Sequence, residues 1–180
     1  VYIVGNVDLE TLKPLVEKYI GSLPAKKKLT KRLDDGIRYA TGEVINDFRH
    51  PMQQPKVSVC RIYTGEIEYN LENSVTMNFL QDILRTRYTA SIREEKGGTY
   101  SVGVGGSVQA LYNPNYQLVV QFDTNEVMAD ELSEIVVAEL KQIAENGPKS
   151  EDLEKVREYM IKEWNNRLVQ NSSWMNYIYQ

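Results

Sequence analysis

Between Leu71 and Glu95 the sequence keeps two interleaved apolar rows at helical spacing, with no glycine or proline to interrupt them. Leu71, Val75, Phe79 and Ile83 repeat every four residues, and Leu80, Leu84, Tyr88 and Ile92 form a second row beside them. Residues four apart lie on the same side of an α-helix, so the two rows make one broad apolar face. At 1.5 Å per residue this helix is on the order of 35 Å long, enough to cross a whole sheet. Asn70 is placed to cap its first amides, and Glu72 sits favourably in the first turn. It is the main packing element of the chain.

The helix stops at Gly97-Gly98, and an alternating run follows. Tyr100, Val102, Val104 and Val108 point to one side of a strand, whereas Ser101, Gly103, Gly105 and Ser107 point to the other. One side is core and the other is nearly bare backbone. Glycine weakens a strand, so this many on one face implies a close approach, either by a ligand chain or by a packed helix or domain surface. The break places Arg93 at the helix end and Tyr100 at the strand start, seven residues apart. A guanidinium and a phenol make sense together where a carbonyl oxygen, or the oxyanion derived from it, must be held. The structural alternative is that Arg93 complements the helix C-terminal dipole and Tyr100 packs in the core.

The rest of the chain reads as scaffold. Val1 to Val7 is expected as a short apolar strand, after which Asp8 caps a helix whose apolar face is Leu12, Leu15, Val16, Tyr19 and Ile20. Pro14 should bend that helix, and Gly21 with Pro24 ends it. Lys26-Lys27-Lys28 with Lys31 and Arg32 is either a solvated linker or an anion patch. Glu43 to Phe48 and Val57 to Tyr63 are expected as strands, separated by a loop with Pro51 and Pro55 that stays out of the ladder. Asn113-Pro114-Asn115 turns the chain into Tyr116 to Phe122, the antiparallel neighbour of the glycine-rich strand. Two helices follow. Met128, Leu132, Ile135, Val136, Leu140 and Ile143 face the core in the first, which ends at Asn146-Gly147-Pro148. Ser150, Glu151 and Asp152 open the second, whose apolar face is Leu153, Val156, Met160, Trp164 and Leu168. There is too little β-α-β alternation for a doubly wound sheet, so the expected class is α+β, an antiparallel or mixed sheet covered by helices on one face.

Composition excludes several functions. A chain of 180 residues, 42% hydrophobic and 26% charged, is long enough to bury roughly two-thirds of its unfolded surface in one core, and 1–180 is expected to be a single domain. The net charge of -4 leaves no broad basic footprint for nucleic acid. Cys60 is the only cysteine, so an internal disulfide and a paired-cysteine metal site are both excluded. His50 is the only histidine, whereas a catalytic zinc normally takes three protein ligands, so no zinc site is expected in this chain. No apolar run approaches the roughly eighteen residues of a membrane span. The first residues, Val1-Tyr2-Ile3-Val4, and the last, Tyr177-Ile178-Tyr179-Gln180, read as the ends of a fragment of a larger multidomain protein.

Three stretches, in this order, carry a family resemblance: Val4-Gly5-Asn6-Val7-Asp8, the helix end Glu17-Lys18-Tyr19-Ile20-Gly21-Ser22-Leu23-Pro24, and Ile92-Arg93-Glu94-Glu95-Lys96-Gly97-Gly98-Thr99-Tyr100-Ser101-Val102. Together they resemble the C-terminal half of zinc peptidases of the pitrilysin and insulinase (M16) family. The resemblance implies a metallohydrolase domain like those of LuxS and the mitochondrial processing peptidase. It further implies a parent that hydrolyses peptides with a zinc ion held by an inverted His-x-x-Glu-His motif in its other half or in a partner subunit. No stretch here matches that motif, so the cofactor of the parent, Zn2+, would be absent from this chain, and the fragment alone would be inactive. Arg93 and Tyr100 match the arginine and tyrosine that are implied to hold the substrate carbonyl and the tetrahedral intermediate. Expected partners are a peptide substrate and the zinc-bearing half, and a bacterial parent would be expected in the periplasm. The alternative is a non-catalytic structural or peptide-binding domain of the same fold.

Overall fold

The computed structural model describes residues 1–25, 33–110 and 113–179. Lys26-Lys27-Lys28, Lys31 and Arg32 lie outside these residues. The described residues form three strands and five α-helices, two of which continue into π-helical turns. By packing, the chain divides into two compact units, Val1–Asp35 with Glu158–Gln180, and Gly36–Arg157.

The second unit holds an antiparallel sheet of β1 (Val57–Glu66), β2 (Val102–Gln109) and β3 (Asn115–Thr124), in the order β1-β3-β2. Register is fixed by alternation, because a slip of one residue would turn every side chain to the wrong face. Val59 and Val102 both lie opposite Phe122, and Arg61 and Val104 both lie opposite Val120. The odd positions of β1 and the even positions of β2 and β3 therefore share one face. Val102, Val104, Leu118, Val120 and Phe122 are buried there.

That face is covered by α2 (Leu71–Tyr88), which passes without a break into the π-helical turns of Thr89–Glu95, and by α3 (Ala129–Asn146). Asn70 caps α2 as expected, its Oδ1 accepting from the amide of Asn73 at 2.7 Å. Leu84, Tyr88 and Ile92, from the second apolar row, are fully buried beside Leu132 and Val136 of α3 in the same core. Burial of side chains this large stabilises by about 1.5–3 kcal/mol each. The first row is only partly used, since Leu71 is exposed and Met77, outside both rows, is buried in its place. Gly106 explains the exchange: a Cβ there would come within 2.7 Å of the Met77 sulfur, so the missing side chain is the socket for the methionine.

In the other unit, Asp8 caps α1 (Leu9–Val16), accepting from the amide of Glu10 at 3.2 Å and the hydroxyl of Thr11 at 2.7 Å. Pro14 lies inside α1, and the helix widens into a π-helical turn at Glu17–Gly21 directly after it. The end of α4 (Ser150–Arg167) and α5 (Asn171–Tyr179) bring Trp164 and Trp174 against Tyr177, with ring centroids 5.3 and 6.3 Å apart respectively.

Two expected strands do not form. Val1–Val7 and Glu43–Phe48 are irregular, and Val44, Ile45 and Phe48 are exposed. Both segments have β-forming residues, but a strand is stabilised by the ladder and by the face it covers rather than by its own propensity. Neither segment has a ladder partner among the described residues.

Candidate functional site

Arg93 and Tyr100 flank the break between the long helix and β2. The helix widens before it ends: the hydroxyls of Thr89 and Ser91 donate to the carbonyls of Arg85 and Arg87, at 2.8 and 3.0 Å. Such side-chain bonds to carbonyls one turn back compete with the helical amides and loosen the turn. Arg93 lies in this widened segment. Gly97, at φ +60°, then closes the helix: its amide donates to the Arg93 carbonyl and that of Gly98 to the Ile92 carbonyl, both at 3.1 Å. This is the glycine closure usual at helix ends, stretched to suit a π-helical turn. Two of the carbonyls at the helix end, those of Ile92 and Arg93, are thus satisfied within the break itself.

The closure is clamped on two sides. Thr124, at the end of β3, donates its hydroxyl to the Gly98 carbonyl at 2.6 Å in a buried contact, and Lys96 pairs with Glu131 of α3 at 2.6 Å. That hydrogen bond also raises the Lys96 ammonium above its usual pKa. Leu132 and Met128 press on Gly98, where a Cβ would meet Leu132 Cδ1 at 2.5 Å. The double glycine therefore answers two needs: Gly97 takes the left-handed conformation, and Gly98 makes room for α3.

Beyond the break the chain does not enter the sheet at once. β2 begins at Val102, so Tyr100 is not the first inward residue of the strand. It stands 89% exposed, which removes the reading in which it packs in the core. The Arg93 guanidinium carbon lies 5.8 Å from the Tyr100 ring centroid, within cation-π range. The two polar ends are exposed together.

Tyr100 also lines an open groove of about 510 Å³ on the outer side of the sheet, with Ser58, Cys60, Thr99, Ser101, Gly103, Gln121 and Asp123 among its walls. Gly105, two residues along β2 on the same face, has no atom within 4 Å of where a Cβ would be. On this face the backbone is open at Gly105 but not at Gly103, where a Cβ would meet the Gln121 side chain of β3 at 3.1 Å; Gly106, on the opposite face, is the glycine that receives a helix. At one side of the groove Asp123 accepts from Lys56 and Ser58, each at 2.6 Å, and these donors hold its carboxyl below the usual range.

A sequence profile described as the M16 peptidase inactive domain matches residues 1–160. The chain belongs to this family. Among curated relatives, the M16 domain is 25% identical over 146 residues to a probable zinc protease PqqL of Haemophilus influenzae, covering 81% of this chain and 15% of that protein. It is 24% identical to a zinc protease PQQL-like protein of Arabidopsis thaliana, covering 99% of this chain and 20% of the relative. Its fold matches that of the periplasmic protease PqqL from Escherichia coli with a TM-score of 0.70 at 19% identity, over 96% of this chain and 19% of the other. It also matches the ferredoxin protease FusC, solved in complex with Arabidopsis ferredoxin, with a TM-score of 0.64 at 14% identity, over 93% and 18%. The chain thus spans about a fifth or less of the length of these proteins.

The described residues of the M16 domain do not fit a zinc ion. No group of three or more His, Cys, Asp or Glu side chains is gathered among them. His50 is exposed, and its Nδ1 lies 3.0 Å from the Pro51 carbonyl. Among the described residues, no helix is long and apolar enough to cross a membrane.

Sequence reasoning missed Thr124 and Glu131. Thr124 had a signal: Leu118, Val120 and Phe122 alternate inward, and the next inward position is a threonine. A polar residue at a core position needs a partner, and here the partner is Gly98. Glu131 had none, because its partner is 35 residues away.

Proposed function

We propose that this chain is the domain of a zinc metallopeptidase that binds no zinc itself, and that Arg93 and Tyr100 hold the substrate carbonyl. The observation that carries the reading is the pairing of the two exposed side chains, the Arg93 guanidinium carbon 5.8 Å from the Tyr100 ring centroid, with Tyr100 lining an open groove. A peptide carbonyl becomes a tetrahedral oxyanion when water adds to it. The Arg93 guanidinium and the Tyr100 hydroxyl are the donors offered to that oxygen, and donors fixed before the reaction favour the charge that develops during it. The ring beneath the guanidinium limits the directions in which Arg93 swings, which is the positional part of the same effect. Zinc and the water-activating carboxylate belong to another part of the parent or to a partner subunit. On this reading residues 1–180 are one domain of a larger peptidase, and the substrate is a peptide.

The test uses the full-length parent protein. Arg93→Ala and Tyr100→Phe are each expected to lower turnover by roughly 10²–10³-fold, the usual loss for one oxyanion donor, with zinc content unchanged. Wild-type turnover in both variants would remove the assigned roles and leave a non-catalytic peptide-binding or structural domain. A His-x-x-Glu-His motif elsewhere in the parent chain or in a neighbouring gene separates the two readings before any assay.

A further inference from the structure

We infer that Thr124 is a positioning residue for the Arg93 and Tyr100 pair, acting through the carbonyl of Gly98; the inference rests on the reading of that pair as a carbonyl clamp. Only six residues separate the two side chains, and their relative placement depends on the path of Lys96 to Thr99. Gly97 and Gly98 are the most permissive residues a path can have, so the glycines alone do not hold it. Something outside the segment must. Thr124 donates to the Gly98 carbonyl at 2.6 Å, and both partners are buried. Thr124 is also fixed at its own end, since it is the last residue of the central strand and lies opposite Val57 of β1. The clamp is thus referred to the most constrained strand of the sheet. Thr99, next in the chain, turns its hydroxyl to the Ser101 carbonyl at 3.0 Å, a local bond that leaves Gly98 as the point of attachment to β3. The Lys96 and Glu131 pair holds the other side of the break, but it is exposed and screened by water and salt. The buried bond is the stiffer of the two. A carbonyl deprived of a buried donor seeks another one, and for Gly98 the route is rotation of its peptide group, which redirects the chain towards Tyr100.

Thr124→Val keeps the shape of the side chain and removes only the donor. In the full-length protein it is expected to lower kcat by about 10- to 100-fold with little change in KM, the loss that follows from a misplacement of about an ångström, and Thr124→Ser is expected to restore most of it. Combined with Tyr100→Phe, it should add little to the loss caused by Tyr100→Phe alone, because the hydroxyl that Thr124 positions is already gone and residues acting as a unit are not additive. A full multiplicative loss in the double variant, or unchanged kcat in Thr124→Val while Arg93→Ala is impaired, overturns the inference. Circular dichroism and thermal unfolding check that the variant is folded. If Arg93→Ala and Tyr100→Phe are themselves fully active, the clamp reading fails. The placement is then decided by NMR contacts between the Tyr100 ring and the Arg93 side chain: their loss in Thr124→Val upholds the positioning role, and their persistence overturns it.

Discussion

Asp123 has a carboxyl held below its usual pKa by hydrogen bonds from Lys56 and Ser58, and Asp8 has one held down by the Thr11 hydroxyl and the Glu10 amide. A depressed carboxylate contributes stability that is present above its unfolded value, near 3.8, and is lost as pH falls through the lower folded value. Both groups are exposed, so the contribution is modest and weakens with salt. Acidification from pH 5 to about pH 2 is therefore expected to lower the urea midpoint, and Asp123→Asn to flatten part of that dependence without changing its sign. Urea titrations at several pH values check this, and an unaltered pH slope in Asp123→Asn would show that the Lys56 and Ser58 contacts contribute nothing. At the same scale, Arg93 and Tyr100 are legible as a pair from their spacing about a double glycine. The exposure of Tyr100 is not legible, because alternation extrapolated back from Val102 places it with the buried residues. Two residues of non-strand backbone at Tyr100 and Ser101 break the phase.

The contact between α2 and β2 is built from complementary absences and bonds. Met77 fills the place of a side chain at Gly106, the Gln81 side chain accepts from the Gly106 amide at 2.8 Å, and Arg85 donates to the Val104 carbonyl at 2.8 Å. The two polar bonds satisfy backbone groups of a strand at the edge of the sheet, which would otherwise be open to another strand. Tyr88 adds a buried bond to the Val136 carbonyl at 2.9 Å, and Arg87 pairs with Glu139 at 2.8 Å, so α3 is tied to the same helix. Gly106→Ala is expected to destabilise the protein by about 1 kcal/mol, overpacking against Met77 exceeding the gain from removing a strand glycine. Gly105→Ala, with open space at its Cβ, is expected to be neutral or to stabilise by about 0.5 kcal/mol. Chemical denaturation of the two variants reads the difference, and equal effects would show that the methionine socket plays no part. The two ends of the long helix were legible, its cap at Asn70 and its stop at the double glycine, but its widening into π-helical turns over Thr89–Glu95 was not. Which of its rows is buried was not, because that depends on a glycine 29 positions further along the chain from Met77.

For the molecule as a whole, membership of the M16 inactive-domain family and the lack of a zinc-ligating group among the described residues lead to one expectation about metal. The purified chain is expected to retain no stoichiometric zinc after gel filtration, to cleave no peptide, and to unfold at the same temperature with and without a chelator. Zinc-dependent peptide hydrolysis by the chain alone would contradict this. The helix α5 was not expected from the sequence. The α+β class, the extents of α3 and α4, the antiparallel hairpin at Asn113, and the absence of disulfide or paired-cysteine chemistry were determined by the sequence itself. Each rests on local periodicity, turn residues or simple counting, and these need no knowledge of distant neighbours. Two strands expected at Val1–Val7 and Glu43–Phe48 failed for the opposite reason, since a strand exists only with a partner edge. Tertiary structure alone decided that the central strand is β3, that Thr124 and α3 hold the glycine break, and that Arg93 lies over Tyr100. Those outcomes depend on pairs far apart in the chain, and no local pattern encodes which distant residue will fill a missing side chain or satisfy a buried carbonyl.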